Sequence, residues 1–160
     1  MRALLGAEGR SRPAAGPGRH ACWDGRAWRV EEIAHAGTRL YPTEDDYSDL
    51  GALDPKDPGV VYISTNADPV TGAPLVSRAD GQRHYELFRG RKDPASGRWS
   101  WVPITRHTAT DNLRPIVPAW DDPRTALVWM RGRYVHNHGE WYTAVVALIL
   151  PPAAAAAPSP

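Results

Sequence analysis

A segment of this chain recurs after 65 positions, and the recurrence sets strong limits on the fold. Residues 46–58 read DYSDLGALDPKDP and residues 111–123 read DNLRPIVPAWDDP, so each begins with Asp and ends with Asp-Pro. Each leads into a β-branched and aromatic run, VVYIST or TALVWM. Chance is the competing explanation, because Asp and Pro are common turn residues. Since several features agree at one spacing, we interpret the segments as copies of one structural unit.

Short strand-like runs between turn signals make up most of the central sequence. The 14 Gly and 16 Pro residues are scattered among these runs and interrupt any long helical pattern. We predict an all-β fold of antiparallel four-stranded blades, about two to three of them, forming a partial β-propeller, because repeats of this length are typical of propeller blades. The predicted strands are WRVEEIA (28–34), GVVYIST (59–65), RHYELF (83–88), WSWVPIT (99–105), TALVWM (125–130) and WYTAVVALIL (141–150).

The two ends of the chain differ in composition from this central part. Residues 1–19 are rich in Gly, Ala, Pro and Arg, and residues 151–160 are mainly Ala and Pro. Neither segment has enough periodic apolar surface to offset the entropy lost on ordering. We therefore predict that both ends are disordered and that residues 20–150 form one domain.

Charge and hydropathy argue against several classes of partner. The 19 basic and 18 acidic residues nearly cancel and are interspersed, so we expect no nucleic-acid partner. The longest apolar run, TAVVALIL, is too short to span a bilayer, and we expect no membrane partner. The start, MRALLGA, lacks the apolar region of a signal peptide. The single cysteine, Cys22, excludes an internal disulfide.

Five motifs in a fixed order resemble a known family. They are VYISTNADPVTGAPL, RHYELFRG, WSWVPIT, DNLRPIVP and LVWMRGRY. Together they are similar to the C-terminal part of the BNR-repeat (bacterial neuraminidase repeat) propeller proteins, in the branch that includes ulvan lyases and other polysaccharide-processing proteins. The resemblance covers residues 20–150. It implies a propeller portion of a carbohydrate-active protein that binds an anionic, uronic-acid-containing polysaccharide.

The chain departs from the resembled family in two ways. The Asp-box turns are imperfect, since the segment 24–28 is one residue short and the segment 93–99 is longer. In addition, the resembled proteins carry their proton-transfer His and Tyr in N-terminal blades without counterparts here. The resemblance therefore leaves the catalytic residues unknown and implies that this chain alone is not catalytic. The resembled proteins are largely secreted, but no signal peptide is predicted, so the compartment stays unassigned.

Arg114 and Asn112 lie in the DNLRP motif, which we place at the start of an innermost strand. Arg114 would bind a substrate carboxylate or sulfate through its bidentate guanidinium group, and Asn112 would bind hydroxyl groups. In the alternative interpretation, Arg114 pairs with an aspartate such as Asp111 or Asp46. The sequence favours neither interpretation clearly.

His84 and Tyr85 begin a predicted strand and suggest the acid and base of a β-elimination. Adjacent residues of a strand point to opposite faces, so the two cannot both face one substrate. A structural histidine is the better interpretation, and His84 is retained as a candidate for substrate binding.

Arg131 and Tyr134 lie in the motif MRGRY, where alternation places Arg131 and Arg133 on one face. Gly132 between them allows close approach of a ligand, and the three charged or aromatic side chains suggest an anion-binding rim. Solvated loop charges are the alternative, which we favour slightly.

Metal and carboxylate chemistry are poorly supported. His136 and His138 have the spacing of a same-face pair, as do His20 and Cys22, but neither pair has a third ligand nearby. We therefore expect no metal and no cofactor. Acidic pairs fall at turns, where Asp forms local hydrogen bonds. Five tryptophans could stack on sugars, although their repeated positions favour packing between blades: Trp99, Trp101, Trp120, Trp129 and Trp141.

Three hypotheses of function remain. The first is the polysaccharide-binding propeller portion described above. The second is a non-catalytic interaction module that completes a propeller by self-association or with a complementary chain, because an open array exposes apolar faces. The third is a truncated gene product without an independent function.

Overall fold

The computed structural model describes residues 2–5, 17–38, 40, 50–134 and 142–152, and every helix or strand within them is a β-strand. The prediction of an all-β, antiparallel fold is confirmed. No helix in these ranges is long and apolar enough to cross a membrane. The strands are β1 (Arg2–Leu5), β2 (Pro17–Trp23), β3 (Trp28–His35), β4 (Gly51–Leu53), β5 (Val60–Thr65), β6 (Glu86–Lys92), β7 (Trp99–Pro103), β8 (Asn112–Ile116), β9 (Thr125–Arg133) and β10 (Tyr142–Leu150).

The strands form three antiparallel sheets in which neighbours in the sheet are also neighbours in the chain. We call them the N-terminal sheet (β1-β2-β3), the central sheet (β4-β5-β6-β7) and the C-terminal sheet (β8-β9-β10). Strand β4 pairs antiparallel with β5 as β8 pairs with β9, and β4 and β8 both lie in the segments that repeat in the sequence. Only the central sheet has four described strands, so the predicted four-stranded unit is found once.

The central sheet is buried on both faces because the other two sheets cover it. Val61 and Ile63 of β5 pack with Ile33 of the N-terminal sheet. Val60, the alternate neighbour of Val61, packs with Leu127 of the C-terminal sheet. Successive strand residues point to opposite faces, so this arrangement requires a continuous run of buried residues. All six residues of β5, VVYIST, are indeed buried.

The hairpin predicted around Asp24 and Gly25 forms between β2 and β3, but its loop is longer than two residues. Trp23 pairs with Trp28, so the loop spans residues 24–27. Gly25 has φ 99°, whereas Asp24 does not adopt a positive φ. The Asp24 carboxylate accepts hydrogen bonds from the backbone N–H groups of Arg26 and Ala27, at 2.8 and 2.9 Å. These hydrogen bonds stabilise a four-residue loop where the sequence predicted a two-residue turn.

Part of the segment predicted to be disordered is ordered in the structure. Residues 2–5 form β1, which pairs with β2, and residues 17–19 belong to β2 itself. Composition did not reveal this, because β1 is held by backbone pairing to a neighbouring strand. The remainder of residues 1–19 and residues 153–160 lie outside the described part of the chain.

Candidate functional site

A six-residue loop before β6 places an aspartate beside His84. Ser77 and Gln82 close the loop through a backbone hydrogen bond of 2.8 Å, and Gly81 has φ 71°. Two other loops, 68–73 and 93–98, share this backbone pattern, with a glycine of positive φ in the fifth position. The loop beginning at Ser77 differs in carrying its aspartate, Asp80, in the fourth position.

His84 lies between two carboxylates. Its Nε2 is 2.7 Å from Oδ2 of Asp80, and its Nδ1 is 3.4 Å from Oδ1 of Asp111. Burial lowers the pKa of His84, but the hydrogen bonds and charges of the two aspartates outweigh burial, so the pKa lies above its usual value of 6.5. This arrangement favours the imidazolium form. It suits an ion pair better than a general base that must accept a proton.

Tyr85 does not share a site with His84. Its hydroxyl group donates a hydrogen bond to the carbonyl oxygen of Thr38, on the side of the N-terminal sheet. Its backbone N–H donates to Oδ1 of Asp111 at 3.0 Å. The predicted strand 83–88 begins only at Glu86, so His84 and Tyr85 lie just before β6, and their side chains have different partners. They do not form the acid and base pair of a β-elimination.

Asn112 is a buried structural residue rather than a surface ligand. Its side chain and backbone are only 1% exposed. The Nδ2 group donates to Oγ1 of Thr108 at 3.0 Å, and Oδ1 accepts the indole N–H of Trp129 at 3.0 Å. Glu86 contributes a carboxylate oxygen 3.4 Å from the same Nδ2. Since these internal partners occupy the amide, the geometry favours packing over the predicted binding of hydroxyl groups.

Arg114 is turned out of its strand by an irregularity in the backbone. The register between β8 and β9 shifts between Leu113 and Ile116, as at a β-bulge. Arg114 within this shift has φ 53°, a left-handed conformation that is uncommon for a residue other than glycine. Bulges often re-aim a side chain next to a functional site.

The re-aimed guanidinium group of Arg114 meets the aromatic ring of Tyr134. The Nη2 group donates a hydrogen bond to the Tyr134 hydroxyl at 3.2 Å. The guanidinium carbon lies 5.0 Å from the ring centroid, within the range of a cation–π contact. Pairing of Arg114 with Asp111 was one interpretation of the sequence, and the structure brings the guanidinium group against Tyr134. Asp46 lies outside the described residues.

Arg131 and Arg133 are both exposed and lie on the same face of β9. Arg131 is the cross-strand partner of Asn112 on β8. The guanidinium carbon of Arg133 lies 4.6 Å from the ring centroid of Tyr142, its partner on β10. Sequence reasoning missed Tyr142, because its role depends on the register between β9 and β10.

Four of the five predicted site residues lie at one end of the C-terminal sheet, where Asn112 is buried and Arg114, Arg131 and Tyr134 are not. We call the three unburied residues, together with the cross-strand pair Arg133 and Tyr142, the Arg–Tyr edge. His84 is joined to the same region through Asp111, which directly precedes β8. The Arg–Tyr edge consists of Arg114, Arg131, Arg133, Tyr134 and Tyr142.

The four described tryptophans of the set considered for sugar stacking do not lie on one surface. Trp99 and Trp101 stack on each other against the cluster that joins the N-terminal and central sheets, and Trp129 is buried. Trp120 lies beside Lys56 and Arg124. Trp141 lies outside the described residues. Two tryptophans that were not predicted are exposed instead, Trp23 and Trp28.

The remaining metal candidates do not gain support from the structure. His136 and His138 lie outside the described residues. Nδ1 of His20 is 3.1 Å from Oε1 of Glu31, and Cys22 lies near neither a second thiol nor a metal-ligating cluster in the part of the chain that is described.

Comparisons with known proteins identify no relative for this arrangement of strands and side chains. No protein-family model, curated protein or solved structure matches the chain.

Proposed function

We propose that this chain is a non-catalytic polysaccharide-binding module that holds an anionic polysaccharide at the Arg–Tyr edge. We further propose that its three sheets are blades of a partial β-propeller related to the BNR-repeat polysaccharide lyases. The observation that carries the proposal is the left-handed bulge at Arg114, which aims a guanidinium group at Tyr134 instead of into the sheet. Such backbone strain costs about 1–3 kcal/mol and concentrates at functional sites.

The composition of the edge supports an anionic sugar as the ligand. Guanidinium groups bind carboxylates and sulfates through two parallel hydrogen bonds, and Arg is weakly hydrated. The rings of Tyr134 and Tyr142 each lie against one arginine, which limits the conformations of that arginine. An aromatic ring beside a guanidinium group offers an apolar face to a sugar ring and a donor to its acid group. Ordering both groups in advance lowers the entropy cost of binding.

The arrangement of the sheets supports blades. The first strand of each sheet approaches the first strand of the next, since β1 lies near β4 and β4 lies near β8. Convergence of first strands is the arrangement expected when blades surround an axis. The Arg–Tyr edge would then lie at one end of the third blade.

Affinity gel electrophoresis tests the proposal. We expect a gel containing a uronic-acid polymer to retard the chain, and a neutral glucan gel to leave it unretarded. Arg114→Ala should abolish most of the retardation, and Arg114→Lys should restore only part of it, because Lys lacks the guanidinium fork. Arg98→Ala, at an exposed arginine of the β6–β7 loop, is the matched control.

Two outcomes would overturn the proposal. One is equal mobility of the wild-type chain in acidic and neutral gels. The other is an equal loss of retardation in Arg114→Ala and Arg98→Ala, because that would reflect net charge instead of a site. Absorbance of unsaturated uronates appearing with the polymer would show that the chain is a lyase and would contradict the non-catalytic assignment.

A further inference from the structure

The two outer sheets each expose several apolar side chains on the face that points away from the central sheet. In the N-terminal sheet, Glu31 faces the central sheet, because its carboxylate lies 2.5 Å from Nζ of Lys92. Val30, next to it in the strand, therefore faces outward and is 54% exposed. Trp28 lies two residues from Val30 on the same outward side, paired with Trp23. We call this surface the N face; its exposed members are Trp23, Trp28 and Val30.

The C-terminal sheet has a matching outward surface. Val146 packs toward the central sheet, so Val145 points away from it and is 81% exposed. Val145 pairs with Met130 across the sheet, and the next pair on the same face toward the end of β10 is Ala147 with Val128. We call this surface the C face; its members are Ile116, Val128, Met130, Val145, Ala147 and Ile149.

The chain already shows how such faces pack. One face of the N-terminal sheet covers the central sheet, and the opposite face of the central sheet covers the C-terminal sheet. In each contact, one face of a sheet packs on a face of the sheet that comes next in the chain. The N face and the C face are the two surfaces left over at the ends of this stack. Exposed apolar faces of this extent mark interaction sites in soluble proteins.

We infer that the C face of one copy of this chain packs on the N face of a second copy, head to tail. The contact continues the sheet-on-sheet stack that each copy contains, and it uses the two outward faces that lie at the ends of this stack. If the C face of each copy packs on the N face of the other, the two contacts form a closed dimer with two-fold symmetry. The dimer would contain six sheets, twice the three of one chain, which falls within the range of about four to eight blades that close a propeller.

The inference is independent of the proposed polysaccharide ligand. It concerns the outward faces of the two outer sheets, whereas the Arg–Tyr edge lies at one end of the C-terminal sheet. If the chain does not bind the acidic polymer, the inference about the dimer still stands. If the chain is monomeric and still binds the polymer, only the inference about the dimer is wrong.

Sedimentation velocity on the full chain provides the test. We expect a dimer for the wild-type chain and a monomer for both Val145→Lys and Val30→Lys, since each substitution places a charge in one half of the contact. Val70→Lys is the matched control, because Val70 is a loop valine with 68% exposure that belongs to neither face. It should remain dimeric. Ile149→Lys supplies a second C-face variant if Val145→Lys does not keep the wild-type circular dichroism.

Mixing the two variants distinguishes head-to-tail packing from packing of like faces. Val30→Lys keeps an intact C face and Val145→Lys keeps an intact N face, so an equimolar mixture should recover a dimer through one intact contact. A wild-type monomer at all concentrations would overturn the inference. A dimer of Val30→Lys or Val145→Lys alone would overturn it too, because it would show that like faces pair.

Discussion

The indole Nε1–H of Trp129 on β9 donates a hydrogen bond of 3.0 Å to the side-chain oxygen of Asn112 on β8. Both residues are buried, and the Asn112 amide also reaches the carbonyl oxygen of Tyr85 and the hydroxyl of Thr108. One side chain thus ties the C-terminal sheet to the strand and loop residues of the central sheet. A buried network of this kind stabilises a fold only while each member keeps its partners.

Asn112→Ala should lower the free energy of unfolding by about 2–4 kcal/mol. The substitution leaves the Trp129 N–H without its acceptor and removes the Asn112 donor from Oε2 of Glu86, at about 1–3 kcal/mol for each buried group. Urea denaturation followed by tryptophan fluorescence measures the change. Gln82→Ala, in an exposed loop, should change the stability by less than about 0.5 kcal/mol. Equal stabilities for the two variants would show that the network contributes nothing.

Leu87→Ala should cost about 2–5 kcal/mol, because Leu87 is fully buried between the central and C-terminal sheets. Val102→Ala on the neighbouring strand β7 provides the comparison, since Val102 is exposed. Thermal unfolding by circular dichroism should show a lower midpoint for the Leu87 variant only. Comparable midpoints for both variants would mean that the contact between these sheets is not part of the cooperative core.

Gly132→Ala should destabilise the chain more than Gly25→Ala does. Both glycines have a positive φ, at 143° and 99°, so both substitutions strain the backbone. A Cβ on Gly132 would also overlap the carbonyl oxygen of Tyr142 and lie 2.7 Å from Cα of Thr143, whereas Gly25 faces open space. Forcing β9 and β10 apart should add about 1–3 kcal/mol to the strain. Chemical denaturation of both variants measures the difference, and a larger effect at Gly25 would contradict the strand approach.

The ion pair of His84 and Asp80 should give the stability a defined pH dependence. The pKa of His84 is raised above 6.5, so its contribution is complete below pH 6.5 and is lost as the pH rises through the folded pKa. The pKa of Asp80 is lowered below 3.8, mainly by its hydrogen bond to His84. Its contribution is complete above pH 3.8 and is lost as the pH falls through that lowered pKa. The pair therefore stabilises the fold most between these values.

Titration of the His84 ring by NMR checks this assignment. We expect a pKa above 6.5 for His84, and Asp80→Asn should lower this pKa because it removes one of the two aspartate carboxylates beside the ring. The fall in urea midpoint above pH 6.5 should also become shallower in the Asp80→Asn variant. An unchanged His84 pKa in that variant would show that Asp111 or burial, and not Asp80, controls the titration.

Strand content was predictable because the signal that carries it is local. The runs 59–65 and 125–130 were assigned correctly as strands, which the structure forms as β5 and β9, and Asp24 was placed correctly in a turn. These results need only the geometry of a single strand and the backbone preferences of Asp, Gly and Pro.

The roles of individual side chains depended on contacts between distant residues, which no local pattern contains. Asn112 looked like a surface ligand, yet Trp129 and Glu86, 17 and 26 residues away in the chain, bury its amide. For Arg114 the sequence left ligand binding and pairing with an aspartate open, and the register shift within β8 places its guanidinium group against Tyr134. The sequence alone determined that this protein is built from antiparallel strands joined by tight turns. The tertiary structure decided which faces those strands cover and which side chains they leave at the surface, because register and sheet stacking are set by packing across the whole chain.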